Sequence, residues 1–166
     1  MDDLFDPVAG HWTRVAPQLA TVRRILLLLP AAMVGVAGLV VALLPGLTTW
    51  VAVVGWALVA VSLGVAGWGW TWAGRNQRSW GYAENDDDLL VTRGVMFKRL
   101  VAIPYGRMQF VDVQAGPLER AFGIATVTLH TASTETAADI PGLRADEATR
   151  LRNRLTELGE AHGAGV

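Results

Sequence analysis

The chain contains no cysteine, which excludes disulfides, thiolate nucleophiles and cysteine-held metal sites. Thirteen of its fourteen basic residues are Arg, Lys98 being the exception, and the net charge is −1. That balance lacks the basic surface a nucleic-acid partner demands. The histidines, His11, His130 and His162, share no metal-ligand spacing with one another or with Asp and Glu, and the sequence has neither a Walker-type glycine loop nor a Gly-x-Ser-x-Gly elbow. Asp86-Asp87-Asp88 lacks the rest of a calcium-loop pattern. These absences predict no catalytic residue, no cofactor, no bound metal and no small-molecule substrate. The largest gap is in charge. From Ile25 to Gly74 there is no Asp, Glu, Lys or Arg, while Arg23, Arg24, Arg75 and Arg78 bracket the run.

Those fifty residues are about twice what one helix needs to cross a bilayer, at ~20 apolar residues per span. Pro45-Gly46-Leu47-Thr48-Thr49 breaks the run in its middle, so the pattern predicts a hairpin of two spans, about 25–44 and 50–72. Backbone in lipid has no water to satisfy its N–H and C=O groups, which makes both spans helical. A signal peptide is disfavoured, because its apolar core is shorter and a second span follows at once. Trp50 at one end of the second span and Trp68, Trp70 and Trp72 at the other read as interfacial belts. Pro30 is expected to kink the first helix. Small residues recur as Ala31, Gly35, Gly38 and Ala42 on the first span and as Ala57, Ala60, Gly64 and Gly67 on the second. Such stripes let backbones approach closely, either within the hairpin or against another membrane protein. Arg14, Arg23 and Arg24 precede the spans, Arg75 and Arg78 follow them, and the turn has none, which predicts both termini in the cytoplasm.

Residues 1–24 read as a cytoplasmic segment with a lead-in helix from about Pro17 and Trp12 resting at the interface. Residues 76–160 read as one small domain of short strands: Trp80–Glu84, Leu89–Arg93, Val95–Ile103 with Val95, Phe97, Val101 and Ile103 on one face, Met108–Gln114, Ile124–Thr131 with Ala125, Val127 and Leu129 inward, and Ala137–Ile140. Asn85–Asp88 and Ser133–Thr136 are expected turns. Ala148, Leu151, Leu155 and Leu158 then recur at helical spacing, with Asp146 as an N-cap, Gly159 as the helix end and Arg150, Arg152 and Arg154 on solvated sides. Residues 161–166 are expected to be a disordered tail. The fold class is a membrane helical hairpin joined to an α+β domain, a bent antiparallel sheet closed by a C-terminal helix.

The runs Leu89-Leu90-Val91-Thr92-Arg93-Gly94-Val95, Ile103-Pro104-Tyr105-Gly106-Arg107-Met108-Gln109, Gly116-Pro117-Leu118-Glu119-Arg120-Ala121-Phe122-Gly123-Ile124-Ala125 and Ile140-Pro141-Gly142-Leu143 resemble the YdbS-like bacterial pleckstrin-homology (PH) family, over about residues 15–158. The Gly-Pro-Leu-Glu-Arg-x-Phe-Gly block is the most specific part. The resemblance implies two membrane helices followed by a PH-like barrel or half-barrel, no catalytic residues, and placement in a bacterial inner membrane. The block itself reads as a strand break and one helical turn, dropping Leu118 and Phe122 onto the barrel, with Glu119 pairing with Arg120.

Arg93, Lys98, Arg99 and Arg107 are the candidate contact residues for a partner or a lipid. From Arg75 onward there are 11 basic and 12 acidic side chains, a balance without long-range pull on an anionic bilayer. The expected function is therefore a non-enzymatic, membrane-anchored interaction or scaffold module whose partner is another membrane protein or a second copy. Recognition of anionic lipid headgroups is the alternative.

Overall fold

The computed structural model describes residues 12–46, 48–131 and 138–163. They divide into two compact units. Ala20–Gly74 form one, and the described residues up to Leu19 join those from Arg75 onward in the other. The expected turn over Ser133–Thr136 and the chain beyond residue 163 lie outside the described residues.

Two helices build the first unit, α1 (Gln18–Leu43, with Pro30 inside it) and α2 (Thr49–Arg78). Both are long and apolar enough to cross a membrane. Their contact is made by missing side chains. A Cβ on Gly38 would stand 2.7 Å from Leu58 Cβ and 2.9 Å from Gly55 O, and one on Gly55 would stand 2.6 Å from Ala42 N. Gly35 likewise faces Ser62. The α1 stripe thus packs on α2. The buried face of α2, however, is Gly55, Ser62, Gly69 and Ala73, whereas Ala57, Ala60, Gly64 and Gly67 are exposed. As a packing face within the hairpin, that second stripe was misplaced: nothing lies within 4 Å of a Cβ built on Gly64 or Gly67. The helix carries small residues on more than one side. The seven-residue step from Gly55 to Ser62 to Gly69 matches the repeat by which two slightly crossed helices keep one seam in contact. Near the ends that carry Arg24 and Trp70, the guanidinium lies over the indole at 4.2 Å, and Trp68 stacks on Trp72.

The second unit is a half-barrel of two antiparallel sheets that do not close on each other. The first has the order β1-β2-β3-β4, from β1 (Thr13–Arg14), β2 (Gly81–Glu84), β3 (Asp88–Arg93) and β4 (Arg99–Pro104). The second has the order β5-β6-β7, from β5 (Met108–Gln114), β6 (Ile124–Thr131) and β7 (Ala138–Arg144). A 3-10 turn, Tyr105–Arg107, joins the sheets, and the short α3 (Pro117–Ala121) joins β5 to β6. Register shifts in both pairings of the second sheet add the local bend that bulges impose. The closing helix is α4 (Ala145–Gly163). Its Ala148, Leu151 and Leu155 are fully buried with Tyr82, Leu89, Ile103 and Tyr105 of the first sheet side and Val127, Leu129 and Ile140 of the second.

Alternation placed most strands, and several boundaries are corrected. Residues 12–17, just before α1, belong to this unit. Thr13 pairs with Tyr82, the Ala16 N–H donates to Gly142 O at 2.8 Å, and Val15 and Leu19 are buried. Trp12 lies against Gly81. Gly142 has φ +74, and a Cβ there would stand 2.7 Å from Leu19 Cβ, so only Gly allows both the backbone turn and the close approach. Residues 94–98 are a loop, and Val95 and Phe97 are not strand residues facing the core. Gly94 has φ +115, and a Cβ on it would collide with Phe97 O, because the chain reverses there before β4 starts. The last strand runs on to Arg144, and α4 passes through Gly159 to Gly163. Gly159 does not take the positive φ of a left-handed cap, so the ordered helix extends into the stretch expected to be a tail. Leu118 and Phe122 are half-buried. Glu119 takes no partner from Arg120: its Oε2 accepts from the Gly116 N–H at 2.8 Å and its Oε1 from the Thr126 hydroxyl at 3.1 Å. The carboxylate thereby satisfies a donor at the start of α3.

Candidate functional site

Three surface features follow from this fold. The first is a strand edge beside a helix. β5 borders its sheet, pairing with β6 alone among the described strands, so one row of its N–H and C=O groups faces outward. Next to that edge, Met108, Gln109, Phe110 and Val111 of β5 and Leu155, Thr156, Gly159 and Glu160 of α4 line a groove of about 200 Å³. Gly159 lies in the last third of α4, and a Cβ on it would stand 3.8 Å from Tyr105 O. Phe110 is exposed and stacks on His130 of β6 at 4.1 Å. This gives a flat aromatic platform at the groove's rim.

The second feature is the set of candidate cations, which the structure separates. Arg93 ends β3 and lies directly across from Arg99 at the start of β4. Lys98 precedes Arg99 in the 94–98 loop, so these three share one end of the first sheet. The Arg93 guanidinium lies 5.8 Å from the Trp80 ring. Arg107 falls after β4, in the 3-10 turn. The six residues of β4, at about 3.4 Å each, carry it to the opposite end of that sheet. At that opposite end the β2–β3 turn holds Asn85, Asp86 and Asp87, and Asp88 opens β3. The Asn85 side-chain amide donates to Asp88 Oδ1 at 2.7 Å, and the Tyr105 hydroxyl donates to Asn85 O at 2.9 Å. Among the described residues no cluster of His, Asp or Glu is arranged to hold a metal ion.

The third feature is an ion-pair lock between β2 and α4. Arg150 Nη2 bonds Glu84 Oε1 at 2.6 Å and Glu147 Oε1 at 2.7 Å, and the buried Tyr82 hydroxyl donates to the same Glu147 oxygen. The Arg150 hydrogen bonds hold the Glu147 carboxyl below the ordinary carboxylate range, against the opposing pull of its partial burial. Burial first, and Glu147 second, push the Tyr82 hydroxyl well up. Burial raises Tyr105 to about 12, with Glu84 and Asp88 adding to it. The helical spacing had put Arg150 on a solvated side. Its two carboxylates, one of them 66 positions back in the chain, were not legible from that spacing. Glu147 also lines, with Arg14, Gln77 and Asp146 among others, a cavity of about 890 Å³ beside the lock.

Comparison with known proteins accounts for this layout. The chain matches at 34% identity, over 79 residues, a Bacillus subtilis protein described as UPF0699 transmembrane protein YdbS. That match spans about half of each protein, 48% of this chain and 48% of the relative. No solved structure matches it significantly. A family model described as "Bacterial PH domain" matches residues 19–159, which takes in both long helices, both sheets and most of α4. The chain belongs to the bacterial PH domain family.

Proposed function

We propose that this protein is a non-enzymatic, membrane-anchored interaction module whose PH-like unit receives an extended segment of a partner protein along the β5 edge. The observation that carries the reading is the unpaired edge of β5 beside the α4 groove. A strand added there gains main-chain hydrogen bonds for affinity, and its alternate side chains enter the groove for specificity. Phe110 offers an aromatic anchor of the kind that dominates interface energetics. The outward stripe of Ala57, Ala60, Gly64 and Gly67 on α2 supports a partner that is itself a membrane protein, or a second copy, since small residues admit a close helix. The Arg residues on either side of the hairpin support a cytoplasmic placement for both flanks.

The test is photocrosslinking in native membranes from a benzoylphenylalanine at Gln109. The reading expects a discrete protein adduct that Gly159→Arg removes. That substitution fills the groove with a better helix former than Gly, so α4 is kept. Replacing Arg93, Lys98, Arg99 and Arg107 by Gln should leave the adduct in place. An adduct that survives Gly159→Arg, or lipid adducts alone, would contradict the docking edge.

A further inference from the structure

Apart from α1, α2 and the turn between them, the large hydrophobic side chains exposed among the described residues are Met96, Phe97 and Phe110. Phe110 is stacked on His130. Met96 and Phe97 are 85% and 86% exposed, more than any residue of the two long helices in the same group. They are adjacent, at the apex of the β3–β4 loop. The close approach of Gly94 to Phe97 O makes that apex a tight reversal, so the backbone itself holds the pair outward. Single exposed apolar residues need no explanation. Two together, with Arg93 on one side and Lys98 and Arg99 on the other, form a small apolar tip with a cationic collar.

The register says where this tip lies. Gly81 pairs with Thr92, so residues 94–98 project past the first residue of β2. That residue follows the last residue of α2, Arg78, by three positions, and follows Gly74, the last residue of the uncharged run, by seven. The tip is therefore at the end of the sheet where the chain arrives from the candidate membrane span. The Asp86-Asp87-Asp88 run is at the other end of β2 and β3. The near-zero charge of the unit conceals this arrangement. The first sheet carries Arg93, Lys98 and Arg99 at the end where residues 75–80 join it, and Asp86, Asp87 and Asp88 at the other.

We propose that Met96 and Phe97 insert into the headgroup region of the same membrane that the hairpin spans, with Arg93, Lys98 and Arg99 on its anionic lipids. This rests on the hairpin spanning the bilayer and is independent of the β5 edge. Charge complementarity and a tether of a few residues select the bilayer as occupant over a soluble protein. Apolar side chains such as Phe bury themselves at the headgroup–acyl boundary, and the anionic leaflet attracts adjacent cations. The span already localises the unit, so the tip fixes its orientation and keeps the β5 groove facing a constant direction. A contact that orients a tethered body can be too weak to recruit the free one.

The absence of cysteine allows a direct test on the full chain. Single cysteines at Phe97, at Asp86 and at Leu63 are labelled with an environment-sensitive fluorophore and reconstituted in vesicles containing phosphatidylglycerol. Nitroxide-labelled lipids should quench the probe at position 97 as they do at 63, and leave 86 in a water-like state. Changing Arg93, Lys98 and Arg99 to Gln, or using phosphatidylcholine alone, should cut quenching at 97 severalfold without changing 63. A water-like probe at 97 with 63 quenched overturns the proposal. So does a shielded probe at 97 that lipid nitroxides fail to quench, which would mean a second copy or another protein covers the tip. An unquenched probe at 63 overturns the spanning hairpin, and the tip with it.

Discussion

The two units spend their apolar residues in opposite ways. In the half-barrel, Leu89, Ile103, Leu151 and Leu155 are sealed from the surface, and Met96, Phe97 and Phe110 are the large apolar side chains exposed among its described residues. In the hairpin, Leu29, Met33 and Leu63 stand outward, and the residues turned inward are Gly35, Gly38, Gly55 and Gly69. One unit is held together by filling a core, the other by removing side chains so that two backbones meet. The difference follows from the solvent each one faces. Water rewards burial of a Leu, whereas lipid is as apolar as Leu and leaves close van der Waals packing as the glue.

The sharpest break of this comparison uses one residue type in both places. Leu155→Ala opens a cavity at a side chain with no exposure and should cost about 2–5 kcal/mol. Leu63→Ala, at 69% exposure, should shift stability by less than about 0.5 kcal/mol. Thermal melts of the reconstituted protein, followed by circular dichroism, compare the two, and equal losses would refute the contrast. The mirror experiment is in the hairpin. Gly38→Leu should force α1 and α2 apart at a cost of about 1–3 kcal/mol, because its Cβ would meet Leu58 and Gly55. Gly64→Leu, with nothing near its Cβ, should leave the hairpin intact. Any effect of Gly64→Leu would then be on association with a partner, read by crosslinking.

Smaller effects come from the lock. Glu84→Gln should cost no more than about 1 kcal/mol, as exposed ion pairs do, since Arg150 is half exposed. The pH dependence has a definite sign. Glu147 is held below its ordinary value by Arg150 and the Tyr82 hydroxyl. Its contribution is complete above the ordinary carboxylate range and is lost as pH falls through the lowered value. Glu147→Gln should flatten that acid limb. At the alkaline end, Tyr105 is raised to about 12, so stability should fall as pH climbs from about 10 toward that value. Tyr105→Phe should remove its share of the alkaline limb and leave that of Tyr82, at the cost of the hydrogen bond to Asn85 O.

The sequence was most legible where periodicity is strong. Charge-free length marked both candidate membrane spans, alternation marked β5 and β6, and the spacing of 3 and then 4 from Ala148 to Leu151 to Leu155 marked the buried face of α4. It was least legible where pairing partners are far apart. Thr13 and Tyr82 are separated by the whole hairpin, and a two-residue strand has no period of its own. The inner face of α2 was missed because small residues line several of its sides, so spacing alone could not choose Gly55–Ser62–Gly69 over Ala57–Ala60–Gly64. The 94–98 loop was read as strand because Val95 and Phe97 alternate, a pattern that the reversal at Gly94 overrides. Of the candidate contact set, three cations converge and Arg107 does not. The β5 groove was anticipated only as a general property of a bent sheet with a closing helix.

The account's central structural claim is that the hairpin is an insertion into the half-barrel, entering after Leu19 and returning at Arg75. The measurement that tests it most directly compares two soluble fragments. One is residues 76–166 alone. The other joins 12–19 to 75–166 through a flexible linker of about six residues, a reach of roughly 13 Å. That span suits ends already tied by the Gln77 side-chain amide to Val15 O at 2.8 Å. With Val15 and Leu19 restored to their buried sites, the joined fragment should melt cooperatively and at a distinctly higher temperature than the shorter one. Identical melts for the two fragments would contradict the claim and make the segment before α1 a mere lead to the membrane.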